Sequence, residues 1–94
     1  MEKPVISVFQ DKKAGRFQTE IDKETAFIEY EEQNGVVVMT HTEVPANFEG
    51  KGIGSELVKK SLEMVRSEGK KVNPLCPFIA AYIRKHNEYS DLLA

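Results

Sequence analysis

The sequence predicts a small mixed α/β (α+β) fold, in which an antiparallel meander of strands is followed by a βαβ unit and a C-terminal helix. The first half of the chain alternates apolar and polar residues, which is typical of half-buried strands. Asn34-Gly35 lies between two of these runs and is the strongest short hairpin signal, because both central positions of a type I′ turn need positive φ. The second half changes to apolar residues at helical spacing, with a short strand pattern between two helices.

The meander is predicted from four runs of strand-forming residues. A polar break at residues 10–15 and a turn at residues 22–24 separate the first three runs. The last run opens with Val36-Val37-Val38, which is apolar on both faces and therefore predicts a central position in the sheet. The predicted strands are residues 5–9, 16–21, 26–32 and 36–44.

Helical spacing predicts an amphipathic helix over residues 52–68, and a second helix from Pro77 towards His86. Gly69 stands where a left-handed glycine commonly ends a helix, and proline is favoured in the first turn of the next one. The apolar residues of segment 88–94 predict a last packed segment at the C-terminus.

A short strand at residues 70–75 completes the βαβ unit with the strand at 36–44 and the helix between them. Its crossover is expected to be right-handed. Both parallel strands then end at the same edge of the sheet, where ligands of α/β proteins tend to bind. This edge is the predicted place for a functional site.

Length, charge and cysteine content exclude several classes of protein. The 94 residues predict a single domain over residues 1–94, and the net charge of −2, from 13 basic and 15 acidic residues, argues against general nucleic-acid binding. No apolar run is long enough to cross a membrane, and residues 1–13 lack the apolar stretch of a signal peptide, so a cytoplasmic location is expected. The single Cys76 excludes an internal disulfide, and with two scattered histidines it predicts no metal site.

The segment Glu49-Gly50-Lys51-Gly52-Ile53-Gly54-Ser55 connects a predicted strand to the long helix. Its three alternating glycines leave room for a sharp bend and for close approach of a ligand. The first N–H groups of the following helix have no intrahelical partner and, with the helix dipole, favour an anion such as phosphate. The turn therefore predicts a phosphate-binding site, although it could equally be a tight structural connection.

Three known nucleotide-binding motifs can be compared with this turn. The Walker pattern fails because no Lys-Ser or Lys-Thr pair follows at the right distance. The dinucleotide pattern fails because its last glycine would fall on Ser55. Gly52 and Gly54 instead match the last two positions of Arg/Gln-x-x-Gly-x-Gly/Ala, the pyrophosphate signature of the GNAT (Gcn5-related N-acetyltransferase) superfamily.

Residues 44–58, VPANFEGKGIGSELV, resemble motif A of that superfamily. Asn73, Cys76, Ala80 or Ala81 and Tyr82 resemble its second CoA-contacting segment, and the resemblance covers roughly residues 36–89. The short length and the Cys-Pro-Phe sequence are similar to a minimal branch of predicted acetyltransferases, which lacks the helices between the first two strands.

The resemblance implies an acyltransferase that uses acetyl-CoA and an amine acceptor: a small molecule, a lysine or an N-terminus. It implies pyrophosphate contacts from the backbone of residues 50–55 and pantetheine contacts from the backbone near Val44, with Asn73 as a further contact. Glu49 departs from the pattern by placing an acid in the Arg/Gln position, and Lys51 could compensate for that charge. The residues implicated in binding are Val44, Gly50, Lys51, Gly52, Ile53, Gly54, Ser55 and Asn73.

Four side chains are candidates for the chemistry. Cys76 precedes Pro77 at the start of the last helix, where the dipole would lower the thiol pKa, although free cysteines are also common core residues. His41 and Glu43 are expected to share a strand face, and the pair could act as a base for an amine or for Cys76, or lie on the surface without a role. Tyr82 matches a family position near the thioester sulfur, or is a core aromatic.

Three functions compete on this basis. The leading one is an acetyl-CoA-dependent N-acetyltransferase, acting directly or through an acetylated Cys76. The second is a non-catalytic module that binds acyl-CoA, which Glu49 favours. The third is an α/β interaction domain in which the glycine turn is only structural. The oligomeric state is left open by the sequence.

Overall fold

The computed structural model describes residues 5–94 and arranges them as one five-stranded sheet with two α-helices. The strands follow the order β1-β2-β3-β4-β5, and every neighbouring pair is antiparallel except β4 and β5, which are parallel. The mixed α/β class, the meander and the βαβ unit are thereby confirmed. The elements are β1 (Phe9–Asp11), β2 (Arg16–Ile21), β3 (Glu24–Gln33), β4 (Val36–Glu43), α1 (Ile53–Ser67), β5 (Lys71–Pro74) and α2 (Pro77–Lys85), with 3₁₀ helices at Ala46–Phe48 and Asn87–Leu92.

The first strand differs from its prediction. Residues 5–8 form no strand, and β1 begins only at Phe9. Ile6 is buried in the core and Val8 packs against it, so this apolar segment serves packing and not sheet pairing. The strand instead continues to Asp11, because its carboxylate accepts the Ala14 N–H at 3.1 Å and stabilises the turn into β2. Residues 1–4, which belong to the segment considered for a signal peptide, lie outside the described residues.

Two tight turns set the register of the meander. Asn34 and Gly35 have φ of 52° and 79°, which confirms the hairpin predicted from that pair. Asp22 and Lys23 have φ of 47° and 69°, so the turn between β2 and β3 has the same positive-φ geometry without a glycine. Aspartate tolerates this conformation better than most residues, which agrees with its place in the turn.

Both helices lie against one face of the sheet, which we call the helix face. Alternate residues of the strands are buried there, and they pack with the apolar stripes of α1 and α2. The strand residues that alternate with these point to the other side of the sheet, and all those described are half-buried or exposed. We call that side the open face. The largest fully buried residues of the helix face and of the helices are Phe17, Ile28, Met39, Leu57, Leu62 and Ile79.

A β-bulge in β4 changes which residues face the helices. Glu29 pairs with His41 but Tyr30 pairs with Met39, so Thr40 is the extra residue. Beyond the bulge, Thr42 pairs with Ile28 and lies on the helix face. His41 therefore lies on the open face.

The predicted C-terminal segment packs as a 3₁₀ helix with buried Tyr89 and Leu92. The Arg66 guanidinium donates to both carboxylate oxygens of Asp91, at 2.8 and 3.0 Å, and holds this segment on α1. The Ala94 N–H then donates to the carbonyl of Val72, in β5, at 3.0 Å. Within residues 5–94 no helix is long and apolar enough to span a membrane.

Candidate functional site

The glycine turn ends in an α-helix whose first turn has no side-chain cap. Gly50 and Gly52 have φ of 78° and 81°, a conformation that favours glycine. The first helical hydrogen bond of α1 runs from the Glu56 N–H to the Gly52 carbonyl at 3.1 Å. The N–H groups of residues 53–55 thus precede the hydrogen-bonded ladder and are free to bind a ligand.

A cavity of about 520 Å³ opens where this turn meets the end of β4. Its volume suits a small-molecule ligand. Six of its lining residues were predicted as binding residues: Val44, Gly50, Gly52, Ile53, Gly54 and Ser55. The other lining residues are Thr42, Glu43, Phe48, Glu49 and Phe78.

Gly54 is needed for close packing and not for an unusual backbone conformation. A Cβ at this position would lie 3.1 Å from Cζ of Phe78 and 3.5 Å from a methyl group of Val44. The Phe78 ring, 46% exposed, therefore rests against the first turn of α1 and forms one wall of the cavity. Sequence reasoning did not assign Phe78 or Phe48 to the site. The available signal was their position, since Phe48 directly precedes the glycine turn and Phe78 lies two residues after Cys76.

Lys51 and Asn73, both predicted as binding residues, do not contribute to the cavity wall. The Lys51 ammonium lies 5.9 Å from the centre of the Phe48 ring. Asn73 pairs with Val38 and lies on the open face of the sheet. Glu49, the departure from the signature, does line the cavity.

Cys76 is the N-cap residue of α2 and is only 7% exposed. Its Sγ lies 3.4 Å from Oγ1 of Thr42, which lines the cavity, whereas Cys76 itself does not. Burial is the largest single influence and raises the pKa of the thiol, but hydrogen bonds from Thr42 and from backbone groups at the start of α2 outweigh it. The net effect lowers the pKa of Cys76, in the direction expected at a helix N-terminus.

His41 and Glu43 share the open face, as expected, and their Nε2 and Oε1 atoms lie 2.9 Å apart. The bulge at Thr40 places Thr42 beside the thiol and His41 on the opposite face of the sheet, so the structure does not bring His41 and Cys76 together. Glu43 nevertheless lines the cavity. The pair is therefore positioned for a partner that approaches from the open face.

Tyr82 lies within the core and does not line the cavity. Its ring stacks on His86 with centroids 3.9 Å apart, and the His86 Nδ1–H donates to the Tyr82 carbonyl at 2.9 Å. Burial raises the pKa of the Tyr82 hydroxyl and nearby carboxylates raise it further; these belong to Glu56, Glu88 and Glu63. A raised pKa keeps this hydroxyl protonated and able to donate.

The described part of the chain holds no group of three or more His, Cys, Asp or Glu side chains that could bind a metal. The cavity, the free N–H groups and the glycine turn are typical of proteins that hold a phosphate group at a helix N-terminus.

Comparison with known proteins identifies the family. The model of the GCN5-related N-acetyltransferase family matches residues 16–92, and this protein belongs to that family. It is similar to Protein NATD1 of Gallus gallus, with 31% identity over 85 residues that cover 86% of this chain and 76% of the relative. The similarity to Protein NATD1 of Mus musculus is 35% over 51 residues, or 54% of this chain and 46% of the relative. A GCN5-like protein of Staphylococcus aureus, solved in solution by NMR, has a TM-score of 0.72 at 25% identity, and the match covers 94% of this chain and 87% of that one.

Proposed function

We propose that this protein is a single-domain N-acetyltransferase that transfers an acetyl group from acetyl-CoA to an amine. The observation that carries the proposal is the cavity that joins the first turn of α1 to the end of β4, with Glu43 at its wall. Membership of the acetyltransferase family supports the reaction class. A cytoplasmic location, where acetyl-CoA is available, is part of the proposal.

The residues of the cavity fit acetyl-CoA. The N–H groups of residues 53–55 and the turn at Gly50 and Gly52 would hold the pyrophosphate. The backbone of Val44 would bind the pantetheine amide groups, and the Phe48 and Phe78 rings would pack along its apolar part. Bound there, acetyl-CoA supplies an acetyl group activated as a thioester.

His41 and Glu43 supply the proton acceptor. An amine must lose a proton as its nitrogen bonds to the acetyl carbon and the carbon–sulfur bond breaks. The His41 imidazole takes that proton, and the Glu43 carboxylate at 2.9 Å holds the ring in place. The departing thiolate takes a proton from solvent, because Tyr82 lies within the core and does not line the cavity.

Transfer is proposed to be direct, without an acetylated Cys76. The thiol has a lowered pKa, which favours a nucleophilic thiolate. It is nevertheless only 7% exposed and does not line the cavity. The proposed role of Cys76 is therefore to support the end of the cavity through its contact with Thr42.

A non-catalytic module that binds acyl-CoA is the second candidate, and one observation favours it. Glu49 lines the cavity at the position where the family signature has Arg or Gln, so a carboxylate stands near the proposed pyrophosphate. Such a carboxylate weakens phosphate binding unless it turns towards solvent. This candidate predicts binding of acetyl-CoA without release of free CoA in the presence of amines.

The test is an amide NMR titration with acetyl-CoA, followed by an assay of thiol release with a panel of amines. Saturable shifts at residues 50–55 and 42–44, together with amine-dependent thiol release, would support the acetyltransferase. The same shifts without thiol release would favour the binding module. Absence of shifts at millimolar acetyl-CoA would overturn both.

A further inference from the structure

The open face of the sheet carries an excess of negative charge. Strand alternation and register place five carboxylates on it, against two cationic side chains. One of the cations, Arg16, already pairs with Glu29 at 3.8 Å, and the other, Lys71, donates to the Asp91 carbonyl at 2.7 Å near the edge. The five carboxylates are those of Asp11, Glu20, Glu29, Glu31 and Glu43.

Two cross-strand rows connect this face to the cavity. One row runs Phe9, Gln18, Phe27 and Glu43, and directly paired residues share a face. Its two ends are a phenyl ring that is 48% exposed and a carboxylate that lines the cavity. With strands about 4.8 Å apart, the row is about 14 Å long, which an extended peptide of about four residues would span.

The neighbouring row contains Arg16, Glu29 and His41. The Arg16 guanidinium lies 3.9 Å above the centre of the Phe27 ring, and the His41 ring is 6.4 Å from the same phenyl ring in an edge-on arrangement. Apolar and charged groups thus alternate over this face of the sheet, outside the cavity. Such a surface suits a polypeptide, whereas small ligands prefer concave sites that enclose most of their area.

A second copy of this chain does not match the surface. A two-fold contact would place the same acidic surface against itself, and like charges brought together oppose association. A cationic partner has the complementary charge. Lysine-bearing segments combine that charge with an aliphatic stem that can pack on Phe9 and Phe27.

We propose that the open face of the sheet is the docking surface for the acceptor, and that the acceptor is a lysine-bearing polypeptide whose chain crosses the strands from Phe9 towards Glu43. The inference rests on the proposed function, since it identifies the amine that His41 and Glu43 deprotonate. An extended cationic segment places its lysines over the acidic surface, and the lysine that reaches Glu43 enters the mouth of the cavity.

The test uses two short peptides blocked at both ends, one of alternating lysine and leucine and one with glutamate in place of lysine. Each is titrated into the labelled protein, with and without acetyl-CoA. The lysine peptide is expected to shift the amides of Phe9, Gln18, Phe27 and His41, more weakly as salt is added. The glutamate peptide is expected to leave them unchanged.

Charge reversal provides the matched comparison. Glu20→Lys and Glu31→Lys lie on the open face and are each expected to weaken binding of the lysine peptide by about fivefold. Glu88→Lys changes the net charge equally but lies on the C-terminal 3₁₀ helix, away from this face, and is expected to leave the affinity unchanged. If all three substitutions weakened binding of the lysine peptide equally, the attraction would depend only on net charge, and the open face would be rejected as the docking surface.

The two proposals fail in distinguishable ways. Acetyl-CoA shifts at residues 50–55 with acetylation of small amines, but no peptide shifts on the open face, would leave the proposed function standing and overturn the docking surface. Peptide shifts on the open face without acetyl-CoA binding would support the surface and overturn the acetyltransferase. Shifts of the open face that grow with protein concentration alone would identify a second copy as its occupant and overturn the inference.

Discussion

The Thr42 hydroxyl oxygen lies 3.4 Å from the Cys76 sulfur and connects the end of β4 to the start of α2. The contact depends on the bulge at Thr40, which turns Thr42 towards the helix face. It lies behind the wall of the cavity, because Thr42 lines the cavity and Cys76 does not. The threonine is therefore positioned to control both the ionisation and the accessibility of the thiol.

Thr42→Val is expected to raise the pKa of Cys76, because it removes a hydrogen bond that lowers this pKa while keeping the shape of the side chain. The pH profile of alkylation by iodoacetamide should move to higher pH. Thr42→Ser retains the hydroxyl and should keep the profile of the natural protein while raising the plateau rate, since the smaller side chain uncovers the thiol. Identical profiles for the valine variant and the natural protein would show that the contact has no influence on ionisation.

Gly54→Ala is expected to weaken acetyl-CoA binding with little effect on stability. The new methyl group would lie 3.1 Å from the Phe78 ring and displace it into the cavity, but the ring is half-exposed and can move. Alanine also has the better helix propensity, so the free energy of unfolding should change by less than about 1 kcal/mol. Calorimetric titration and chemical denaturation measure the two quantities.

Gly69→Ala is the matched control for that substitution. Gly69 has φ of 70° and no atom near its would-be Cβ, and it lies at the far end of α1. Strain in the left-handed region should lower stability by about 1 kcal/mol without changing acetyl-CoA affinity. Weaker acetyl-CoA binding in Gly69→Ala, together with unchanged binding in Gly54→Ala, would contradict the assigned role of Gly54.

His41→Gln is expected to lower turnover about a hundredfold while acetyl-CoA affinity stays the same, because the imidazole lies on the open face and not on the cavity wall. Glu43→Gln, which keeps a hydrogen-bonding group beside the ring, should cause a smaller loss. Both are measured as thiol release at saturating acetyl-CoA. Unchanged turnover in the histidine variant would remove the proposed base.

Arg66→Met is expected to loosen the C-terminal segment, because Arg66 holds Asp91 through two hydrogen bonds. Hydrogen exchange of the Ala94 amide, which donates to Val72, should become faster. Arg84→Met, on the exposed side of α2, is the control. Equal protection of the Ala94 amide from exchange in both variants would show that Arg66 does not hold the C-terminal segment in place.

The Arg66–Asp91 pair also makes the stability of the protein depend on pH. The hydrogen bond from Arg66 is the largest influence and lowers the pKa of Asp91 below its usual value. A carboxyl whose pKa is lowered on folding contributes stability above its unfolded pKa, and this contribution disappears as the pH falls through the folded pKa. Acid should therefore lower the melting temperature less in Arg66→Met than in the natural protein.

Ser61→Ala is expected to raise the free energy of unfolding by about 1 kcal/mol. The Ser61 hydroxyl is fully buried in α1 and has no hydrogen-bond partner among the described residues. Removing it ends the cost of burying an unpaired polar group. Ser67→Ala is the comparison, because the Ser67 hydroxyl donates to the Met64 carbonyl at 2.8 Å and its loss should not stabilise.

The sequence predicted the elements well because their signals are local. The Asn34-Gly35 turn, Gly69 after α1 and Pro77 at the start of α2 each reflect backbone geometry that one or two residues determine. The strand predicted at residues 5–9 could not be distinguished from a packed coil, since Ile6 supplies the same apolar pattern in either case.

The site was predicted less completely, because it depends on contacts between distant segments. The glycines of the turn were recognisable by spacing, but Phe48 and Phe78 join the cavity only through packing. The bulge at Thr40 has no clear sequence signal, and it is the bulge that turns Thr42 towards Cys76.

Because Thr40 is an extra residue, β4 turns its odd-numbered residues towards the helices before the bulge and its even-numbered residues after it. Before it, the odd-numbered residues Val37 and Met39 are buried against the helices; after it, the even-numbered and half-buried Thr42 faces the same side. Keeping Thr40 but pairing it in a continuous ladder would shift the rest of the strand by one residue and exchange the sides of the His41–Glu43 pair and Thr42. The extra residue, and not only the identity of its neighbours, therefore places the His41–Glu43 pair on one side of the sheet and the contact to the thiol on the other.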